Sequence, residues 1–295
     1  INMVFGAAAA GKRAMTSSSG PGISLKQEGI STLAGAEMPC VIVNMTRGGP
    51  GLGNIAPAQS DYFQATKGGG HGDYHCIVLA PSTIQELVDF MFEAFPLAEK
   101  WRLPVMILGD GALGQMMEPV DFRGRERLAD SRKQPEWALT GAKGRKPHLV
   151  KSLFLHGDDL YHFNLRQQEK WEKIQAEEPK LELVAMEDAD YAIAAFGSMG
   201  RIAGSVIDLA RAEGIKLGLI RPLTLWPFPN KAIAELVGDG TLLQRILTVE
   251  MNLGQMVEDV RLAVNGKIPV DFFGSPGGRV PMPEEVLAEL HKIIG

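Results

Sequence analysis

Short apolar runs alternate with amphipathic stretches over most of the chain. Cys40-Val-Ile-Val-Asn44, Ile77-Val-Leu-Ala80 and Val105-Met-Ile-Leu108 have the length and turn-residue punctuation of buried strands. Pro81 closes the second of them, and Ser82 or Thr83 is placed to cap the helix that follows. The apolar residues of that helix, Leu87, Phe90, Met91 and Phe95, fall at i, i+3, i+4 and i+8, the stripe of a helix lying on a sheet. The alternation returns near residue 183. Residues 191–196, 216–220, 245–250 and 269–273 read as strands, and 254–264 as a helix. Another helix, with Ile202, Val206, Leu209 and Ala210 on one face, follows Gly197-Ser-Met-Gly200. Strands alternating with helices predict an α/β fold with two parallel-sheet domains, over 1–122 and 183–295, the second smaller.

Residues 123–182 break the pattern. They hold 13 basic and 10 acidic residues without a strong strand signal. We read them as a charged, partly helical linker or inter-subunit segment, with a helix around 165–178. Residues 1–11 read as the end of a small-residue helix.

Composition leaves this picture intact and narrows the function. Of 295 residues, 45% are hydrophobic and 22% charged, enough apolar content for sizeable cores. The net charge of -5 argues against a nucleic-acid binder held by phosphate contacts. Cys40 and Cys76 are too few for a disulfide scaffold, a zinc finger or a ligated iron–sulfur cluster. No apolar run approaches the roughly 18 residues of a membrane span. The apolar stretch 3–10 has Lys12 and Arg13 after it, not before it as in a secretory signal. A cytoplasmic protein with no membrane partner is expected.

The densest chemistry lies in Ala14-Met-Thr-Ser-Ser-Ser-Gly-Pro-Gly-Ile23. A strand ends there in a hydroxyl-rich loop, and Gly20 and Gly22 flank Pro21 at a helix start. This pattern lets a ligand approach the backbone and offers it free N–H groups. The same residues also suit a plain capped strand-to-helix turn. Arg47 follows an apolar strand and precedes Gly48-Gly49-Pro50-Gly51, at the carboxyl end where α/β folds hold ligands. Its planar fork of donors suits a carboxylate, with a surface or interface ion pair as the alternative. His71, in Gly70-His-Gly-Asp73, reads as a hydrogen-bonded structural residue. The other histidines, His75, His148, His156, His162 and His291, have no metal-ligand spacing. Gly197-x-x-Gly200 is half a dinucleotide fingerprint. Lacking the rest, and with Glu213 and Glu250 in the wrong context, it predicts no nucleotide.

Taken together, the small-residue helix, Lys12, a strand and Thr16-Ser-x-x-Gly-Pro-Gly22 resemble the pyrimidine-binding domain of thiamine diphosphate enzymes. Further motifs narrow the resemblance: Arg47-Gly-Gly-Pro-Gly-Leu-Gly53, Gln59-Ser-Asp-Tyr62, Gly68-Gly-Gly-His-Gly-Asp73, Leu225-Trp-Pro-Phe-Pro229, Val249-Glu-Met-Asn-Leu-Gly-Gln255 and Gly277-Gly278. The combination is similar to the alpha-type subunit of 2-oxoacid:ferredoxin oxidoreductases, nearest the 2-oxoisovalerate branch.

That resemblance implies a pyrimidine-type domain over 1–122 and a transketolase-C-terminal-like domain over 183–295. It implies a subunit of an enzyme that oxidatively decarboxylates a 2-oxoacid to its acyl-CoA and reduces ferredoxin. A 2-oxoisovalerate-type substrate is favoured over 2-oxoglutarate or pyruvate. By the same resemblance, Arg47 binds the substrate carboxylate, and Ser18, Ser19, Gly20 and Pro21 contact thiamine diphosphate. The cofactor is shared with a beta-type partner subunit that carries the diphosphate site, its Mg2+ and an iron–sulfur cluster. Gamma and ferredoxin-like subunits, ferredoxin and coenzyme A complete the expected partners. The family's catalytic glutamate would fall just ahead of Ile1, so no catalytic residue is expected within the chain. No metal ligands are expected either. Gly109-Asp-Gly111 mimics the start of a thiamine diphosphate magnesium motif, but the next Asn is Asn164, too distant to serve, and the turn reads as structural. Two other classes stay open. One is a nucleotide-dependent α/β enzyme complete in one chain, which would need a phosphate fingerprint; the other is a non-catalytic scaffold subunit.

Overall fold

In the computed structural model, which describes residues 1–122, 134–238 and 240–295, the apolar runs become strands of two five-stranded sheets. The charged stretch 123–133 lies outside the described residues. Up to that stretch the chain forms α1 (Asn2–Ala9), β1 (Met15–Ser18), α2 (Pro21–Ser24), α3 (Gln27–Gly35), β2 (Cys40–Thr46) and α4 (Tyr62–Thr66). It continues with β3 (Ile77–Leu79), α5 (Ile84–Trp101), β4 (Pro104–Asp110) and α6 (Gly111–Gln115). Beyond it come α7 (Gly157–Glu177), β5 (Leu181–Val184), β6 (Tyr191–Ala194), α8 (Gly197–Ala212), β7 (Leu217–Pro222) and β8 (Thr224–Trp226). The last elements are α9 (Asn230–Leu236), β9 (Arg245–Glu250), α10 (Met256–Val264), β10 (Val270–Gly274) and α11 (Pro283–Ile294).

The sheets are built alike. The first has the order β1-β2-β4-β3-β8, parallel except for β8; the second has the order β10-β9-β6-β7-β5, parallel except for β5. The central strands are continuous apolar runs because both faces are covered. Val41, Ile42, Val105 and Ile107 are fully buried, as parallel strands require. Thr83 is the cap of α5, its side chain accepting from Glu86 N at 3.1 Å. Phe90, Ala94, Leu97, Ala98 and Trp101 form the buried stripe of that helix.

Three features depart from the sequence reading. The charged-segment helix begins at Gly157, earlier than expected, since two acidic residues in its first turn suit the positive end of the helix dipole where apolar periodicity gave no signal. The end of the same segment contributes β5, whose half-exposed Leu181 and Glu182 and exposed Leu183 and Val184 lack the burial of a recognisable strand. And β8, from within 183–295, belongs to the first sheet and not the second: Trp226 pairs with Val78 and Thr224 with Leu79.

A buried polar seam joins the halves. Gln59, 2% exposed, donates from its main-chain N–H to Met251 O (2.9 Å) and from Nε2 to Phe196 O (2.8 Å). Its Oε1 accepts from Met251 N (3.0 Å), and its carbonyl accepts from Asn252 Nδ2 (3.0 Å). Beside it the fully buried Glu250 accepts from the N–H groups of Met256 (2.8 Å) and Val257 (3.0 Å), at the start of α10. Burial pushes its carboxyl pKa above the ordinary value despite those bonds. The buried Tyr62 hydroxyl donates to Asp259 Oδ2 at 2.5 Å, and Lys67 pairs with the same carboxylate. Ser198 Oγ donates to Asp110.

Candidate functional site

The carboxyl ends of β1 and β2 lie side by side, with Ser18 in register with Asn44. The loops leaving these ends carry Ser19, Gly20 and Pro21 on one side and Arg47 to Asp61 on the other, so the residues singled out in sequence converge. Arg47 Nε donates to Ser19 Oγ at 3.1 Å. Its Nη1 donates to the carbonyls of Leu52 and Asn54, the latter at 2.7 Å. Among the described residues Nη2 has no hydrogen-bond partner. The guanidinium is therefore held on two of its nitrogens and open on the third, beside a cavity of about 280 Å³ lined by Gly20, Pro21, Ser24, Arg47, Gly48–Gly51 and Asp61.

Gly20 has a reason beyond ligand approach. It adopts φ +53°, and a Cβ there would stand 2.9 Å from Arg47 Nε and 3.0 Å from Cζ. Only glycine lets the arginine lie across this loop. Gly22 is similar, since a Cβ would come 2.2 Å from Ser18 Oγ. The expected free N–H groups of α2 are not free. Gly22 N–H donates to Ser19 O (3.1 Å), Ile23 N–H to Gly20 O (3.0 Å), and Ser24 N–H also to Gly20 O (3.3 Å). The turn closes on its own carbonyls, so what it offers a ligand is hydroxyls, carbonyls and shape.

Three polar groups that the sequence did not single out complete the site. Asn44 is fully buried; its Nδ2 donates to Asp61 Oδ2 at 3.2 Å, while its Oδ1 has no partner among the described residues. A buried acceptor without a donor is costly and matches a ligand that brings an N–H. This is the point at which the site fits an aminopyrimidine. Asp61 is held above the ordinary carboxylate range by burial, with the Asn44 bond and the Arg47 charge pulling the other way. Lys26 Nζ donates to Thr16 Oγ1 (2.7 Å) and Ser17 O (2.8 Å), tying β1 to the residues that follow α2. Of the three, only Asp61 left a sequence signal, inside Gln59-Ser-Asp-Tyr62.

The remaining candidates have other occupations. His71 is exposed and makes no hydrogen bond among the described residues, contrary to the structural role expected of it. Its loop is held by the Tyr74 hydroxyl, which accepts from Gly70 N at 2.9 Å, so the imidazole is not needed there. His71 borders a larger cavity of about 390 Å³ between α3 and α7, away from Arg47. His75 stacks on Trp226 at 4.3 Å. Asp110, in Gly109-Asp-Gly111, caps α6 by accepting from Ala112 N (2.9 Å) and Leu113 N (3.2 Å). Gly200 leaves room for the Arg221 side chain, whose Cδ would lie 2.5 Å from a Cβ. Cys40 and Cys76 are buried, and burial pushes both thiols up, Cys76 to about 12, far from a reactive thiolate.

Two family models match the chain: pyruvate flavodoxin/ferredoxin oxidoreductase, thiamine diphosphate-binding, over residues 1–181, and pyruvate:ferredoxin oxidoreductase core domain II, over residues 189–286. The ketoisovalerate oxidoreductase subunit VorB of Methanothermobacter thermautotrophicus is 50% identical over 295 residues, spanning 100% of this chain and 82% of the relative. The 2-oxoglutarate synthase subunit KorA of the same organism is 33% identical, spanning 99% and 84%. Among solved structures, the 2-oxoglutarate:ferredoxin oxidoreductase from Magnetococcus marinus with 2-oxoglutarate, coenzyme A and succinyl-CoA bound superposes with a TM-score of 0.81 at 25% identity. That match covers 100% of this chain and 55% of the solved one. A split-gene transketolase, at 14% identity and a TM-score of 0.58, shares the fold over 99% of this chain and 79% of its own.

Proposed function

Since the chain belongs to the 2-oxoacid:ferredoxin oxidoreductase family, as an alpha-type subunit, we propose that it forms the aminopyrimidine and substrate side of an enzyme acting on branched 2-oxoacids of the 2-oxoisovalerate type. The enzyme oxidatively decarboxylates the oxoacid to its acyl-CoA and reduces ferredoxin. The observation that carries this reading is the Arg47 fork, anchored through Nε and Nη1 and open at Nη2 beside a cavity at the strand ends.

Thiamine diphosphate, when bound, supplies the electron sink for decarboxylation. The chain's own residues bind and orient. Arg47 takes the oxoacid carboxylate in a charge-assisted pair, with Ser19 holding the Nε edge so that the fork keeps its plane. Ser18, Ser19, Gly20 and Pro21 would form the wall against the cofactor, and the buried, unpartnered Asn44 Oδ1 would accept an N–H of its aminopyrimidine. A beta-type partner subunit carries the diphosphate end, Mg2+ and an iron–sulfur cluster, with gamma and ferredoxin-like subunits, ferredoxin and coenzyme A as further partners. The assembly works in the cytoplasm; among the described residues no helix is long and apolar enough to cross a membrane. Residues 1–122 serve the cofactor, 134–182 pack on that first half through Trp137, Lys170 and Ile174, and 183–295 buttress the site, as units of role more than separable bodies.

The isolated chain is expected to be inactive. Assembled with its partner subunits, it should support thiamine- and coenzyme A-dependent reduction of a viologen dye, with branched 2-oxoacids preferred in a substrate panel. Turnover by this chain alone with NAD would sink the reading. In the assembled enzyme, Arg47→Ala should raise KM for the oxoacid by about tenfold or more, the effect of losing a hydrogen bond between charged groups. An unchanged KM would reduce Arg47 to a structural role.

A further inference from the structure

Asn54 is exposed, yet all four of its hydrogen-bonding groups are engaged. Its main-chain N–H donates to Gly48 O at 2.9 Å, and its carbonyl accepts from Arg47 Nη1 at 2.7 Å. Its side-chain Oδ1 accepts from Ala56 N at 3.0 Å, and Nδ2 donates to Gly277 O, in the second half of the chain, at 2.8 Å. Three glycines make room for this arrangement. A Cβ on Gly48 would lie 2.4 Å from Asn54 Oδ1, one on Gly53 (φ +55°) 1.7 Å from Gly48 O, and one on Gly278 (φ +92°) 2.5 Å from Ala56 Cβ. Gly48 N–H to Ala56 O (3.0 Å) closes the loop at its base. Asn54 thus bonds the guanidinium directly, ties the two arms of its loop together, and reaches across to the Gly277-Gly278 turn.

Few side chains satisfy these demands together. The acceptor must sit close to its own backbone to meet the N–H two residues on, as Asn, Asp and Ser do. The donor must extend on the other side of the same carbon, as only the amide of Asn does. Asp has no donor, and Ser does not reach. Burial explains none of this, because the side chain lies at the surface, where an asparagine needed only for solubility would bond to water.

Resting on the reading of Arg47 as the carboxylate partner of the oxoacid, we propose that Asn54 is its positioning residue, fixing the guanidinium by strapping the loop to the Gly277-Gly278 turn. The second half of the chain, none of whose described residues lines the Arg47 cavity, thereby sets oxoacid affinity.

The test uses the assembled enzyme with a viologen dye. Asn54→Ser keeps an oxygen for Ala56 N and deletes the donor to Gly277. It should raise KM for 2-oxoisovalerate by about 3- to 10-fold, the effect of one ordinary hydrogen bond, while kcat and KM for coenzyme A change less. Gly278→Ala moves the same turn from its other side and should raise the same KM. In the presence of Arg47→Ala, Asn54→Ser should add nothing, because it acts through that arginine. The proposal is overturned if Asn54→Ser leaves the oxoacid KM unchanged while Arg47→Ala raises it. It is also overturned if the two effects add, or if Asn54→Ser lowers only the unfolding temperature. If Arg47→Ala itself leaves KM unchanged, it is the reading of Arg47 that fails, and the strap loses its purpose with it.

Discussion

Among the contacts that tie the halves of this chain together, two sets differ in nearly every physical respect. The seam around Gln59, Glu250 and Tyr62 is buried and joins side chains to main-chain groups and to a buried carboxylate. The strap around Asn54 is exposed, rests on glycines, and touches Arg47. In a buried seam each lost hydrogen bond leaves a polar group without water to replace it. In an exposed loop water takes over, so that the loss appears as misplacement of Arg47 more than as instability. The seam therefore contributes to holding the halves together, beside the β3–β8 pairing, and the strap shapes the site.

The contrast can be broken first at its strong end. Gln59→Ala strands Met251 N inside the seam and takes one of two donors from Phe196 O, which keeps Gly200 N, and should destabilise the protein by about 1–3 kcal/mol, read from urea unfolding. A cost below roughly 0.5 kcal/mol would mean that the seam is wet or dispensable. Glu250 sharpens the same end with a smaller effect. Its folded pKa is raised by burial, so above the ordinary value of 4.5 the unfolded state loses its proton first. The folded state then binds more protons, and stability falls as pH rises from the unfolded toward the folded pKa. Glu250→Gln should flatten unfolding free energy against pH across that window; an unaltered slope would assign the dependence to other groups.

The weakest expected effect lies at the site. Asp61 borders the Arg47 cavity and has its pKa raised by burial. While protonated it leaves Arg47 to the substrate; as pH rises through its pKa, the carboxylate forms and competes. In the assembled enzyme, KM for the oxoacid should rise over that range, and Asp61→Asn should lower it by about twofold at the upper end, a partly screened charge effect. A parallel pH profile in the variant would remove Asp61 from the account.

Much of the architecture was legible because the central strands bury both faces. Cys40-Val-Ile-Val-Asn44 and Val105-Met-Ile-Leu108 can hardly be anything else, and α5 announces itself by its stripe and by Thr83. The edge strands were not legible for the complementary reason. β5 is half exposed, and β8 is three residues running into Pro227, known in sequence only as part of a motif. The site was legible as a set of residues but not as an arrangement. Arg47 and the Ser18 to Pro21 loop each carried a chemical signal, yet nothing local says that the arginine lies on Gly20 or bonds Ser19. Asn44 and Asn54 had no signal at all, since their roles depend on partners remote in sequence or, for Asn44 Oδ1, on an unmet acceptor. The Gly-Asp-Gly turn reads as structural because the chemistry it mimics needs a second residue at a fixed distance, and Asp110 caps α6.

The placement of β8 has a consequence for how the protein is made. β3 is a fully buried apolar strand whose outer edge is covered only when Thr224–Trp226 arrives. On the ribosome, the first sheet must wait with that edge unpaired while the charged segment, α7, β5, β6, α8 and β7 emerge. An apolar edge left open is a template for pairing with another chain. Genetic truncation after residue 181, or splitting the subunit into two genes at the charged segment, should therefore yield a first half that aggregates unless the second is synthesised alongside it.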